Sequence, residues 1–292
     1  MDKINQRAVV FLFFGAAAIS LAPILVRLSE LGPSATAFYR VLFALPVFLF
    51  WMMYDKKSSN VHRQPSSLKD YAYLAIAGGF FAGDLSFWHW SIKLTSIANA
   101  TLLANFAPIF ITLGSFFIFG ERFSRIFIGG MLLSMFGVLL LLGDSFVFHF
   151  SHLVGDGFGL IAAVFYAAYL LAVSRLRLNF STVTVITWSG LATCICMIPI
   201  TLLSGESLII TTFYGWIVLV ALALISHAGG QSLIAFSLAH LPAAFGSVGL
   251  LLQPVLAAII AWVIFDESLG IMQASGGLVV IIGIYISRQG SR

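Results

Sequence analysis

The sequence predicts an all-α integral membrane protein of ten transmembrane helices, built as two inverted five-helix repeats. Three observations carry this. The 292-residue chain is 60% hydrophobic and 9% charged, with a mean hydropathy of +1.04, more apolar surface than one water-soluble core of this size hides. Continuous apolar runs near the roughly 20 residues that cross a bilayer core recur along its whole length. The stretch Ser96 to Glu121, SIANATLLANFAPIFITLGSFFIFGE, returns as Pro242 to Glu267, PAAFGSVGLLLQPVLAAIIAWVIFDE, at an offset of 146, half of 292.

The spans fall at about 8–29, 34–54, 70–92, 97–119, 124–143, 156–175, 181–203, 213–238, 243–265 and 270–287. Their apolarity is continuous and not alternating, which argues for helices and against a barrel. The first run is longer than a signal-peptide core and lacks a clear small-x-small cleavage site, so it counts as a helix. Basic residues set the topology. With the N-terminus inside, Lys3, Arg7, Lys56, Lys57, Arg63, Lys69, Arg122, Arg125, Arg175, Arg177, Arg288 and Arg292 are all inside, while Arg27 and Lys93 lie at outer ends. Both termini are then cytoplasmic, and the pI near 9.2 reports topology, not nucleic-acid binding.

Pro108 answers to Pro254, Phe119 to Phe265, Glu121 to Glu267, Gly130 to Gly276 and Gly137 to Gly283. Agreement at Gly and Pro weighs more than shared aliphatics, because these residues mark backbone constraints. The repeats occupy 1–146 and 147–292. An odd number of spans in each turns the second upside down, a recurring build of secondary transporters whose substrate site lies near the midplane between the halves.

In chain order, Gly15 to Ala18 give the first span a small-residue face, and Pro23 sits near its outer end. Arg40, roughly 8–10 Å into the second span, either snorkels to headgroups or lines an outer vestibule for an anionic group. The polar connection Asp55 to Asp70 reads as a solvated cytoplasmic loop. The third span carries Asp84 near the bilayer centre, where an ionised carboxylate needs a partner, water or a proton, followed by Trp88 and His89. Asp84 and Trp88 share a face; His89 turns away and is either a packing residue or a proton relay.

Asn105 and Pro108 lie in the fourth span, and at the counterpart of Pro108 the ninth span again places an amide beside the proline, Gln253-Pro254. A proline frees a helix carbonyl, and proline-interrupted helices at matching positions point to a transport site with hinges at Pro108 and Pro254. The amides either face substrate or bridge helices. Tyr166 and Tyr169 suit an aromatic cavity wall, and His227 and Gln231 lie four apart in the eighth span. Asp84 and His227 form an acid and histidine combination, one from each half, expected to couple proton movement. The glycine-bearing fifth and tenth spans read as close-packing helices that join the halves or form a dimer face. Cys194 and Cys196 point to different faces and read as packing residues, and His149 with His152 makes a weak metal motif.

The two halves, the NATLLANFAPIF stretch (Asn99 to Phe110) leading to Glu121, and its echo from Leu252-Gln253-Pro254 to Asp266-Glu267, resemble the EamA family of the drug/metabolite transporter superfamily. The resemblance covers nearly the whole chain. It implies an inner-membrane carrier, commonly an exporter of amino acids or related metabolites, working by alternating access. It also implies a cavity bounded by the third, fourth, sixth, eighth and ninth helices.

No metal motif, nucleophile with a local base or nucleotide loop stands out, so neither an enzyme nor a cofactor is expected. The expected partners are a small-molecule substrate and the lipid bilayer, with no nucleic acid, in a monomer or homodimer. The alternative is a lipid or lipid-precursor flippase on the same fold.

Overall fold

The computed structural model describes residues 5–58, 63–143, 149–265 and 270–291. Among these residues no strand occurs. The helices are α1 (Gln6–Ser20), α2 (Ala22–Leu28), α3 (Pro33–Leu42), α4 (Leu45–Ser58), α5 (Leu68–Leu94), α6 (Ile97–Ala104), α7 (Ala107–Phe119) and α8 (Arg125–Leu142). They continue with α9 (Leu153–Leu176), α10 (Thr182–Leu203), α11 (Phe213–Ala221), α12 (Ser232–Ser237), α13 (Ala243–Leu250), α14 (Leu252–Phe265) and α15 (Ile271–Gly290). A π-helical stretch, Leu222–Gln231, runs between α11 and α12.

Nine stretches of the described residues are long and apolar enough to cross a membrane: Gln6–Leu28, Pro33–Tyr54, Ile97–Phe119, Arg125–Leu142, Phe150–Leu176, Thr182–Leu203, Phe213–Ser237, Ala243–Ile260 and Ile271–Gly290. The chain is a multi-pass membrane protein. The 27-residue α5 has the length to cross, but its charged ends, its glycines and Asp84 lower its apolarity.

Prolines divide four of these stretches. Pro23, Pro46, Pro108 and Pro254 each stand at the start of the second segment, where a missing N–H costs least. Turns bridge the breaks: Ala44 N–H donates to Val41 O at 3.1 Å, Phe106 N–H to Leu103 O at 3.1 Å and Leu251 N–H to Val248 O at 3.1 Å.

The two halves of the chain are interleaved. Helix α1 packs on the π-helical stretch, α12, α13 and α14, while α9, its counterpart at the offset of 146, packs on α5, α6 and α7. Gly15 lies against Gly230 and Ile234, and Ser226 Oγ donates to Ala18 O at 3.0 Å. Helices α8 and α15 pack on one another antiparallel. A β-carbon on Gly130 would stand 2.8 Å from Gly283 O, and one on Gly137 2.8 Å from Gly276 O. At the centre of this seam Ser134 Oγ donates to Val280 O at 3.3 Å, between residues 146 apart.

Polar contacts close the bundle's ends. Glu30, after α2, accepts from the N–H of Thr211 at 2.8 Å and from the hydroxyl of Thr212 at 2.8 Å. Glu206 accepts from Ala35 N–H at 2.9 Å. At the opposite end Arg175 meets Glu121 at 3.3 Å and covers the Phe119 ring at 3.6 Å. Glu267, the counterpart of Glu121, lies outside the described residues, as do Lys3, His62 and Arg292.

The connection expected to be a solvated loop is partly built. Helix α4 runs on to Ser58, and Asp70 pairs with Arg63 at 2.6 Å while forming a capping box with Ser67. The local reason is the sequence Ser67-x-x-Asp70, which ties down the first free N–H groups of α5. Cys194 is buried and Cys196 exposed, on different faces as their spacing requires.

Two outcomes follow from the close contacts. Gly137→Ala should cost about 1–3 kcal/mol by overpacking, whereas Gly129→Ala, which meets nothing within 4 Å, should be near neutral; thermal unfolding in detergent reads both. Hydrogen bonds from the Thr212 hydroxyl and the Thr211 and Thr212 amides hold the Glu30 carboxyl below its ordinary value of 4.5. A depressed carboxyl stabilises the fold above that ordinary value, and the contribution is lost as pH falls below it. The melting temperature of the wild type should therefore drop more steeply through that range than that of Glu30→Gln.

Candidate functional site

Where α1 and α2, α6 and α7, and α13 and α14 are interrupted, the helices surround one cavity, completed by α3, α5, α9 and the π-helical stretch. Its volume is about 110 Å³, smaller than a typical drug-sized pocket. Three of the four breaking prolines, Pro23, Pro108 and Pro254, are in its wall.

The wall keeps the register of the repeat. Ser20 and Tyr166, Leu85 and Gln231, Thr101 and Ser247, Asn105 and Leu251, and Pro108 and Pro254 are all pairs 146 apart with both members lining the cavity. The charged members of the wall are not duplicated. Arg40, Asp84 and Trp88 line the cavity, and the positions 146 further on are Ile186, Gly230 and Ile234.

Arg40 is 3% exposed, which removes the snorkelling alternative, and its Nε has no hydrogen-bond partner. Asp84 and Arg40 act on each other electrostatically. They form no ion pair within 4.0 Å, however; among the described residues the pairs that do are Arg63 with Asp70 and Arg175 with Glu121. Asn105 lines the wall and donates from Nδ2 to Thr101 O at 2.7 Å, a carbonyl that also accepts the Asn105 N–H at 3.0 Å. Gln231, also in the wall, has an Oε1 without a partner, as has the Thr101 hydroxyl.

Of the residues expected to bind substrate, Arg40, Asp84, Trp88, Asn105, Tyr166, Gln231 and Gln253 therefore come together, with Pro108 and Pro254 between them. His89, Tyr169 and His227 are placed behind the wall. His89 holds Leu85 O through Nδ1 at 2.7 Å and is 1% exposed. Tyr169 packs on Phe81 with ring centroids 4.5 Å apart. His227 stacks on the other side of Phe81 at 5.3 Å and tilts against Phe48 at 5.7 Å. The expected combination of Asp84 with His227 is split by position: Asp84 lines the cavity, whereas the His227 ring lies behind Phe81.

Thr101 and Ser247 were missed as lining residues, although the offset that pairs the prolines also pairs them. Helices α1 and α3 also join the expected set of cavity helices. His149 and His152 stand with ring centroids 5.8 Å apart, and among the described residues no group of three metal-ligating side chains occurs.

The profile of the EamA-like transporter family matches residues 6–143 and again residues 153–289. This chain belongs to the EamA-like transporter family. An "Uncharacterized transporter" of Archaeoglobus fulgidus is 26% identical over 265 residues, 90% of each chain. The pseudopaline exporter CntI of Pseudomonas aeruginosa is 25% identical over 216 residues, 74% of each chain. A solved crystal structure superimposes with a TM-score of 0.82 at 20% identity, covering 99% of this chain and 98% of its own, a likeness of fold. Transport across a membrane is thus the activity of the EamA-like family to which this chain belongs.

Solvent access tests the cavity directly. In a chain carrying Cys194→Ser and Cys196→Ser, Ala104→Cys and Ala257→Cys, both in the cavity wall and only partly buried, should react with a small membrane-impermeant thiol reagent. Ser134→Cys, sealed between α8 and α15 at 0% exposure, should not; intact mass reads the modification.

Proposed function

We propose that the protein is a secondary active transporter that exports small polar or amphipathic metabolites, such as amino acids or related compounds, by alternating access. The observation that carries the reading is the cavity whose wall repeats at the offset of 146 and is broken by proline in matching helices. Equivalent helices on opposite sides of a solute can exchange roles, so that one side opens as the other closes. In this reading α5, 27 residues and about 40 Å long, is the tenth span. The halves 1–146 and 147–292 are inverted repeats, a reading supported by the antiparallel seam of α8 with α15.

The basic residues favour a plasma or inner membrane location with both termini cytoplasmic. The substrate is a small molecule, and no catalytic step or cofactor is part of the cycle. Asp84 is the group proposed to carry a coupling proton. The charged and phenolic groups that act on it are Arg40, Tyr166 and Tyr169.

A second reading, a lipid or lipid-precursor flippase, has one observation in its favour. A further cavity, almost wholly apolar, is bounded by Leu102, Phe106, Ile109, Met135 and Phe136 and shares Asn105 with the first.

Proteoliposomes with an imposed proton gradient separate these readings. A gradient-driven flux of a water-soluble metabolite supports the exporter, and movement of fluorescent lipid without any solute flux supports the flippase. Asp84→Asn should lose at least tenfold of the gradient-driven flux, more than Glu121→Gln. Equal flux through Asp84→Asn and wild type across pH would sink the proton role.

A further inference from the structure

Helices that follow one another in a chain commonly pack together, but α7 and α8 stay apart. Helix α7 packs on α9 and α13, and α8 on α15, α6 and α14, with little contact between the two. The repeat shows the cause. In the second half Gly277 of α15 lets α14 come close, so that a β-carbon there would stand 3.3 Å from Val255. The position 146 earlier is Met131, a buried side chain that meets the Thr112 hydroxyl of α7 at 3.4 Å and props α8 away. Beside this prop lies an apolar pocket of about 210 Å³.

The pocket is continuous with the lipid-facing surface. Leu132, Phe136 and Leu139 of α8 form its edge and are 53%, 53% and 43% exposed, on a stretch that crosses the membrane. Phe106 and Ile109 stand on either side of Pro108, with Leu102 and Met135 buried at the base. All of them lie within about 9 Å of the middle of their spans at the helical rise. That is the depth of lipid tails, not of headgroups.

A void at that depth is costly to leave empty. Lining atoms that lack neighbours forfeit dispersion contacts, and a water molecule needs several polar partners. Asn105 is the one polar side chain among the lining residues. Hydrocarbon from the adjoining bilayer fills the space without needing any.

We propose that this pocket binds one acyl chain of a bilayer phospholipid, which enters between α7 and α8 and rests against Phe106 and Ile109, on both sides of the Pro108 interruption. The lipid is resident and is not cargo: its headgroup stays at the membrane surface, and the inference holds whatever solute the central cavity carries. Asn105, which lines both spaces, divides chain from solute. A chain so placed backs the interrupted helix on the side where α8 leaves it unsupported.

The test places the full chain in phosphatidylcholine nanodiscs containing a trace of phospholipid with a photoreactive diazirine midway along one acyl chain, and maps adducts by peptide mass spectrometry. The expected adducts fall on Phe106 and Met135 as well as on Leu113, 46% exposed on α7. Ile109→Phe and Ile109→Trp fill the pocket by different amounts. Each should lower the Phe106 and Met135 adducts about fivefold or more, the scale of one or two displaced methylene groups, and leave Leu113 labelled as before. A second probe with the diazirine on its headgroup should label neither Phe106 nor Met135.

Labelling of Leu113 without Phe106 and Met135 overturns the site, and so do pocket adducts undiminished in both filled variants. Headgroup adducts at Phe106 or Met135 would bring a whole lipid to mid-membrane, overturning the resident chain and favouring the flippase. The two probes on wild type decide even where a filled variant does not fold.

Discussion

Hydrocarbon offers no hydrogen bonds, so a spanning helix can be broken only where something else receives the freed backbone groups. That constraint arranges this protein. The interruptions after α1, α6 and α13 all face the same cavity, where water or a solute can reach them, and short turns bridge them. The cavity gathers three of the interruptions but does not account for every proline: Pro46 and Pro199 are exposed on the outside of the bundle.

The second organising fact is that neither half of the chain is closed on itself. Helix α1 belongs by packing to the second half, and α9 to the first. The backbones approach at small residues, as at Gly15 against Gly230 and at Gly159 against Leu103. In a membrane such contacts stand in for the hydrophobic effect, which is absent between helices already immersed in lipid. A half synthesised alone would expose the faces that these swapped helices cover.

Much of this was legible in the sequence, and the failures have physical causes. The helical, multi-pass class follows from composition, and the offset of 146 from glycine and proline, which are constrained by backbone and not by context. The cavity-lining residues Arg40, Asp84, Trp88, Asn105 and Gln253 stood out because polar groups at membrane depth are costly. Which way a side chain faces is harder, since each residue of a helix turns by about 100° and the rotation of the helix is set by its neighbours. His89 and Tyr169 fell behind the wall for that reason. His227 and Gln231 sit in a π-helical stretch, whose wider turn changes the register that a regular helix predicts; one reaches the cavity and the other does not. Pro46, in a break away from the cavity, shows that a proline alone marks an interruption and not a site.

The α8–α15 seam has one further consequence. Gly130 meets Gly283 and Gly137 meets Gly276, each contact the mirror of the other under the offset, and Ser134 meets its own counterpart. This is the geometry of an isologous dimer interface, here closed within one chain. A true homodimer of five-helix subunits would have to present every side chain twice, so any cation in its central chamber would face its own copy. Covalent fusion lifts that obligation. It lets one subunit-equivalent keep an arginine and an aspartate while the other keeps Ile186 and Gly230, and a chamber framed by symmetric walls can then distinguish the head of a molecule from its tail.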